Sequence, residues 1–151
     1  MENRQTIMVA GWTYRQKTLA GLMTEKNDVY TWKKSEILDS GYYDAEDRIY
    51  QYEKAVYPLH IQAEPTNPHD PQAIMVFAGD TFVGYVPRGS FPELKSYAVI
   101  DGVECSVEII GGRFKYFEHD EENDLYDSWD DKYLKLATDS TEYKAVMVFE
   151  W

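Results

Sequence analysis

The stretch AEPTNPHDPQAIMVFAGDTFVGYVP, residues 63–87, decides the fold predicted for this chain. It opens with a cluster of Pro, Asn and Asp, residue types typical of tight turns. Two short apolar runs follow, residues 73–78 and 81–86, and Gly79-Asp80 separates them. A glycine-containing connection of two residues between apolar runs is typical of a β-hairpin. The stretch therefore predicts a rigid turn followed by an antiparallel hairpin.

Short strands are predicted on both sides of this hairpin, from apolar runs or from alternation of apolar and polar residues. Gly111-Gly112 is interpreted as a tight turn that makes residues 103–117 a second hairpin. Pro58 has no backbone N–H, so it is expected at the edge or the start of its strand. The predicted strands outside the first hairpin are residues 6–11, 29–32, 56–63, 103–110, 113–117 and 143–151.

Helices are predicted at two places. Residues 90–100 give the clearest one, because Ser90 and Glu93 have the spacing of a capping box. Residues 35–39 give a short second helix, whereas residues 16–28 show no clean period. Short strands joined by turns, with few helices, predict a mainly β fold built as a small antiparallel barrel or a strongly bent sheet.

The totals favour one domain in a reducing compartment. The 151 residues contain no internal repeat, so we expect a single domain over residues 1–151. The single Cys105 excludes an internal disulfide, and with three His it argues against a structural zinc site. No apolar run reaches the ~20 residues that span a bilayer, and no apolar signal segment follows the N-terminus. We therefore expect a cytoplasmic protein with no membrane segment, no metal and no cofactor.

The charge is concentrated in one segment. The chain carries a net charge of -12, with 27 acids and 15 bases. Residues 118–131, from Glu118 to Asp131, hold eight of those acids and no Lys or Arg. The rest of the chain is only mildly acidic. This acidic segment is a candidate surface for a protein partner, and it lacks the glycine that a calcium-binding loop needs at its turn.

No catalytic group of residues is recognisable. No Ser or Cys stands in a nucleophile motif, and no phosphate-binding loop occurs, so we expect no enzyme. The aromatic and basic residues near the hairpin, Tyr14, Tyr85 and Arg88, are more informative. A ring, a cation and the amides at the start of the predicted helix suit one nucleotide or a chain end. The alternative is that both rings lie at the edge of the core and Arg88 is an ordinary surface charge.

Three pieces of the sequence resemble a HIRAN domain. They are VAGWTY (residues 9–14), EPTNPHDPQAIMV (residues 64–76) and FVGYVP (residues 82–87). The resemblance covers roughly residues 7–111, so the expected core is about residues 6–111 and residues 112–151 form a C-terminal extension. The family implies an OB-like β-barrel. The fold class is therefore expected to be mainly β, a small antiparallel OB-like barrel with one or two short helices.

The resemblance also implies a binding site. HIRAN domains occur at the front of some DNA-remodelling ATPases and as stand-alone bacterial or phage proteins, and well-understood members hold the free 3′ end of single-stranded DNA. By position the implied contacts are base stacking by Tyr14, stacking or hydrogen bonding by His69, the 3′ hydroxyl for Asp70 and a phosphate for Arg88, with Tyr85 beside them. From its residue type alone, Asp70 can instead accept backbone amides in the turn.

Two functions are therefore expected from the sequence. The first is a non-enzymatic module that binds single-stranded DNA, by its free 3′ end, in DNA repair or processing. The second is a protein-interaction module that keeps the fold without binding DNA and uses residues 118–131. The net charge of -12 counts against the first, because DNA-binding domains are usually basic.

Overall fold

A computed structural model describes residues 3–40, 47–119 and 134–151. It is mainly β, with antiparallel strands and a few short helices, which confirms the predicted OB-like fold class. The strands are β1 (Arg4–Met8), β2 (Ile49–Tyr50), β3 (Ala55–Ala63), β4 (Ile74–Ala78), β5 (Thr81–Tyr85), β6 (Glu104–His119) and β7 (Leu134–Glu150). The α-helices are α1 (Gln16–Gly21), α2 (Lys34–Ser40) and α3 (Phe91–Tyr97), and 3-10 helices cover Trp12–Arg15, Asp28–Thr31 and Arg88–Ser90.

Two compact units share this chain. The first consists of Met1–Thr24, Lys54–Ile110 and Glu142–Trp151, and the second of Glu25–Glu53 and Gly111–Thr141. The order of paired strands is β1-β7-β6-β3-β4-β5, and β2 pairs with β6. Residues of β6 and β7 belong to both units. The single domain over residues 1–151 remains a prediction.

The first unit contains the hairpin predicted at Gly79-Asp80. Strands β4 and β5 pair antiparallel, from Ala78 opposite Thr81 to Met75 opposite Tyr85, so the prediction is confirmed. Apolar side chains of this unit are withdrawn from water, and each contributes about 1.5–3 kcal/mol to stability. The fully buried ones in its strands and connections include Val9, Val76, Val83, Val107, Ile109, Met147 and Phe149.

Strand β3 changes its partner at Pro58. Residues 55–58 pair with β6, and residues 59–63 pair with β4. Pro58 thus lies inside a nine-residue strand. Its carbonyl oxygen accepts a hydrogen bond from the N–H of Gly79 at 2.8 Å, where the ladder with β4 begins. The missing N–H of Pro58 falls at the end of that ladder, which is where a strand tolerates proline.

The second unit has an apolar cluster of its own. Ile37, Ile49, Phe117 and Leu134 are buried against one another. Ile37 lies on α2, so the short helix predicted at residues 35–39 is confirmed. A further predicted element, the strand at residues 29–32, is wrong, because the chain forms the 3-10 helix Asp28–Thr31 there. The side chain of Asn27 accepts a hydrogen bond from Val29 N at 3.2 Å and caps that helix.

The second hairpin predicted at Gly111-Gly112 is wrong. Strand β6 runs without reversal from Glu104 to His119, and both glycines lie inside it with φ of 111° and 93°. A pair of positive φ angles bends a strand but reverses it only in combination with the ψ angles of a hairpin turn. Here β6 pairs with β2, with Tyr50 opposite Phe114, and β7 is also a neighbour of β6 in the sheet.

Helix α3 confirms the helix predicted in residues 90–100, although its capping box is absent. Ser90 makes no side-chain cap and has helical φ and ψ, because it ends the 3-10 helix Arg88–Ser90. The carboxylate of Glu93 instead accepts a hydrogen bond from the hydroxyl of Tyr97 at 2.7 Å. Helix α1 stands where the sequence has no clean period. Most of the acidic segment, residues 120–131, and most of the predicted turn at residues 42–48 lie outside the described residues.

Candidate nucleic-acid interface

Asn67 organises the turn that carries His69 and Asp70. Its side-chain oxygen accepts hydrogen bonds from the backbone N–H groups of His69 at 2.8 Å and Asp70 at 3.0 Å. Oδ1 of Asp70 accepts the N–H of Gln72 at 2.9 Å, and the carbonyl oxygen of Asp70 accepts the N–H of Ala73 at 3.1 Å. Asp70 thus has the turn-forming role that its residue type allowed. The side chain of His69 is exposed and makes no hydrogen bond to the rest of the described chain.

Glu64 joins this turn to the end of β5. The hydroxyl of Tyr85 donates to Oε1 of Glu64 at 3.1 Å, and Nδ2 of Asn67 donates to the same oxygen at 2.8 Å. Burial raises the pKa of Tyr85, and the hydrogen bond and charge of Glu64 raise it further. Tyr85 is therefore a neutral, half-buried donor at neutral pH. Its hydroxyl holds the turn in place, as expected of a ring at the edge of the core.

The 3-10 helix Trp12–Arg15 is fixed against the same end of β5. The backbone groups of Ala10 and Tyr85 exchange two hydrogen bonds, of 2.8 and 3.0 Å. Gly11, with φ of 84°, begins the 3-10 helix directly after this bridge. The side chain of Tyr14 is 89% exposed on that helix. Tyr14 is therefore not a ring at the edge of the core, and packing gives no reason for an aromatic residue at this position.

Arg15 connects the 3-10 helix to β5, a role that the sequence analysis missed. One guanidinium nitrogen donates to the carbonyl oxygen of Gly11 at 2.8 Å. The guanidinium carbon lies 4.6 Å from the centre of the Phe82 ring and 5.7 Å from that of Tyr85. Cations over aromatic faces are attracted by the ring quadrupole. The sequence signal for this role is the position of Arg15, which directly follows the VAGWTY piece at residues 9–14.

The sequence segment that contains Tyr14 is basic, although the chain is acidic. Residues 3–24 contain no Asp or Glu, and their cations are Arg4, Arg15 and Lys17. The C-terminal strand adds another cation, because Nζ of Lys144 lies 5.2 Å from the centre of the Trp12 ring. A ring with cations nearby and no acid in its own segment is a feature of single-strand binding surfaces.

Arg88 follows β5 by three residues and is exposed in the 3-10 helix Arg88–Ser90. Within the described ranges its side chain makes no hydrogen bond or ion pair. The amide of Ser90, expected to be free for an anion, donates to the carbonyl oxygen of Pro87 at 2.8 Å. The turn with His69 and Asp70, the ring of Tyr85 and the 3-10 helix with Tyr14 are thus joined by contacts. No hydrogen bond, ion pair or ring contact in the described residues joins the side chain of Arg88 to them.

The described residues hold no group of three or more His, Cys, Asp or Glu that could bind a metal ion. In the same part of the chain, none of the helices has the length and apolar character needed to cross a bilayer. Comparisons with protein-family models, curated proteins and solved structures find no match for this chain. The resemblance to HIRAN domains therefore remains a prediction.

Proposed function

We propose that this protein is a HIRAN-like, non-enzymatic module that binds the free 3′ end of single-stranded DNA, in DNA repair or processing within the cytoplasm. The observation that best supports the proposal is the ring of Tyr14, which is 89% exposed on a 3-10 helix. Two backbone hydrogen bonds between Ala10 and Tyr85 fix the start of that helix. An exposed ring held on a rigid turn is a platform on which any base can stack.

The charges near Tyr14 support the same proposal. Lys17 lies in an acid-free segment, and Lys144 lies beside Trp12. Arg88 adds an exposed cation in the 3-10 helix Arg88–Ser90. Each phosphate contact with single-stranded DNA steepens the salt dependence of log K by about 0.7, so we expect a shallow salt dependence. One stacked base contributes about 1–3 kcal/mol, so micromolar affinity is expected.

The test measures binding of a short 5′-labelled oligothymidine by fluorescence anisotropy at low salt. We expect the oligonucleotide with a 3′ hydroxyl to bind, and the same oligonucleotide with a 3′ phosphate to bind at least fivefold more weakly. Tyr14→Ala should weaken binding by roughly 5- to 100-fold, the equivalent of one stacked base. Because the ring is 89% exposed, this substitution should leave stability within about 0.5 kcal/mol of the wild type.

Two single-charge variants separate a local contact from the effect of net charge. Arg88→Ala should weaken DNA binding several-fold. Lys95→Ala removes the same charge from α3 and should leave DNA binding unchanged. If neither oligonucleotide binds, or if Tyr14→Ala binds as the wild type does, the proposal is wrong.

The second candidate is a protein-interaction module that uses residues 118–131. The observation that favours it is the run of eight acids without a Lys or Arg in that segment. A pull-down from the native cell, with the full chain and with residues 118–131 deleted, tests it. Loss of a protein partner on deletion, combined with absence of oligonucleotide binding, would favour this candidate over the first.

A further inference from the structure

The second half of β3 has a free edge. Residues 59–63 pair with β4 on one side, and in the described part of the chain no strand pairs with the other side of residues 60–63. The pairing of β3 with β6 ends where Pro58 lies opposite Ser106. An unpaired strand edge presents a row of backbone donors and acceptors that another strand can use.

The backbone hydrogen bonds identify the groups on that edge. Pro58 O accepts from Gly79 N, and Glu64 N donates to Ala73 O. In an antiparallel ladder, residues directed at the same neighbour alternate, so even-numbered residues of this half of β3 bond to β4. The pairing of Pro58 with Ser106 directs the C=O of Leu59 at β6. The N–H and C=O groups of Ile61 and Ala63 therefore point to the free edge.

A groove of about 380 Å³ borders this edge. Its lining is mostly apolar and comes from β3, β4, α3, β6 and β7. Ile61 is 47% exposed in it. Burial raises the pKa of Cys105, another lining residue, so its thiol is uncharged at neutral pH. The groove thus continues the free backbone edge with an apolar floor, and its volume lies in the range of ligand sites. The apolar lining residues are Leu59, Ile61, Ile74, Leu94, Ala98 and Phe149.

One charge in the lining sets the polarity expected of the occupant. Lys95 of α3 borders the groove and is exposed, and it forms no ion pair with any described residue. A free ammonium beside an apolar groove is complementary to an apolar segment that carries a carboxylate. The edge requires an extended backbone, because only an extended chain matches a row of strand donors and acceptors.

We propose that the groove and the free edge of β3 bind an extended peptide of a partner protein, which adds a strand to residues 60–63 and places a carboxylate against Lys95. With a rise of about 3.3 Å per residue, the free edge accommodates about four peptide residues. Alternate side chains of an added strand face the same way, so two or three apolar side chains enter the groove. This site is separate from the residues proposed to bind DNA, and neither proposal depends on the other.

The first experiment uses a library of random seven-residue peptides with free C-termini, selected against the full chain. We expect enrichment of sequences that alternate Val, Ile or Leu with polar residues and contain an acidic side chain or end near the apolar positions. The best peptide is then synthesised with single N-methyl groups along its backbone. Strand addition predicts that an N-methyl group at every second peptide position weakens binding at least tenfold. At the positions between, an N-methyl group should change binding little.

Matched variants assign the site. Lys95→Ala should weaken peptide binding at least threefold, whereas Arg88→Ala should leave peptide binding unchanged. This is the reverse of the result expected for DNA binding. Ile61→Asp should abolish peptide binding, and thermal unfolding checks that the variant is folded. Absence of enrichment, a uniform N-methyl effect or insensitivity to Lys95→Ala would overturn the proposal. A concentration-dependent dimer that Ile61→Asp dissociates would also overturn it, because a second copy would then occupy the edge.

Discussion

Gly84 lies so close to Ala10 that a Cβ atom at position 84 would overlap the Ala10 carbonyl oxygen. Its φ of 148° is also one that side chains rarely adopt. This close approach allows the backbone hydrogen bonds between Ala10 and Tyr85, which hold the 3-10 helix of Tyr14 against β5. The close approach to Ala10 thus explains why position 84 of the FVGYVP piece is a glycine. It helps to position Tyr14, the ring proposed to stack on a base.

Gly84→Ala should therefore be strongly destabilising. An unfavourable backbone conformation costs about 1–3 kcal/mol, and the overlap with Ala10 adds to it, so we expect a loss of at least about 3 kcal/mol in the free energy of unfolding. Urea unfolding at neutral pH measures it. Gly89→Ala is the control, since a Cβ there would meet no atom within 4 Å. Equal effects at the two positions would contradict this explanation.

Glu108 should make stability depend on acid pH. Burial raises its pKa, but the hydrogen bonds and charges of Lys54 and Arg4 outweigh burial and lower it. A lowered pKa adds stability above the ordinary value of 4.5, and this stability is lost as the pH falls through the folded pKa. Glu108→Gln should lower the free energy of unfolding by about 1–2 kcal/mol at pH 7. The difference in this free energy between the variant and the wild type should be smaller at about pH 3.

The control for this substitution lies on the same strand. Glu104 is exposed on β6, and its side chain forms no ion pair among the residues described. Glu104→Gln should leave the urea midpoint nearly unchanged at both pH values. A pH-independent loss for Glu108→Gln would show that its contribution is packing and not charge.

Tyr97 should make stability depend on alkaline pH. Burial and, after it, the hydrogen bond to Glu93 raise the pKa of Tyr97 from 10.0 to about 12. The neutral phenol is favoured in the folded state, so its contribution is complete below about pH 10 and falls as the pH rises toward 12. Tyr97→Phe should be less stable than the wild type by about 1 kcal/mol at pH 8.

The comparison is repeated at pH 11.5, where the unfolded wild type ionises Tyr97 and the folded wild type does not. The difference in urea midpoint between wild type and Tyr97→Phe should shrink or reverse there. Tyr116→Phe, which removes the hydroxyl of another half-buried ring, is the control for general alkaline effects. An unchanged difference between pH 8 and pH 11.5 would contradict the prediction.

Asp70 can be tested separately as a turn residue and as a DNA contact. Asp70→Ala removes the acceptor for Gln72 N and should lower the free energy of unfolding by about 1 kcal/mol. Asp70→Asn keeps an acceptor oxygen and should retain stability within about 0.5 kcal/mol. If the carboxylate contacts the 3′ hydroxyl, Asp70→Asn should nevertheless lose the preference for a 3′ hydroxyl over a 3′ phosphate. If that preference is retained, Asp70 stabilises the turn and does not contact the 3′ hydroxyl.

Local patterns predicted the parts of the fold that local forces determine. The β4–β5 hairpin follows from Gly79-Asp80 between two apolar runs, and α2 follows from a short helical segment that ends in Ser40. The turn predicted at Gly111-Gly112 is wrong because a glycine pair permits a turn without requiring one. There β6 continues as an extended strand and pairs with residues 49–50.

The candidate site was only partly predictable for the same reason. His69, Asp70 and Arg88 could be named from motif pieces, but their surroundings depend on long-range contacts. The contacts of Arg15 with Phe82 and of Glu64 with Tyr85 join residues far apart in the chain. The capping box failed because a 3-10 helix precedes α3 and gives Ser90 helical dihedral angles. No local pattern carries that information.

The pairing of β1 with β7 also dictates an order of assembly. Ile7 lies opposite Met147, and Asn3 exchanges backbone hydrogen bonds with Trp151. On the ribosome, β1 emerges early, yet β7, its strand partner among the described residues, is synthesised after all the other described strands. The β4–β5 hairpin can form as soon as it emerges, because its contacts are local. We expect β1 to join the sheet only after β7 has emerged, because the residues that pair are far apart in the sequence.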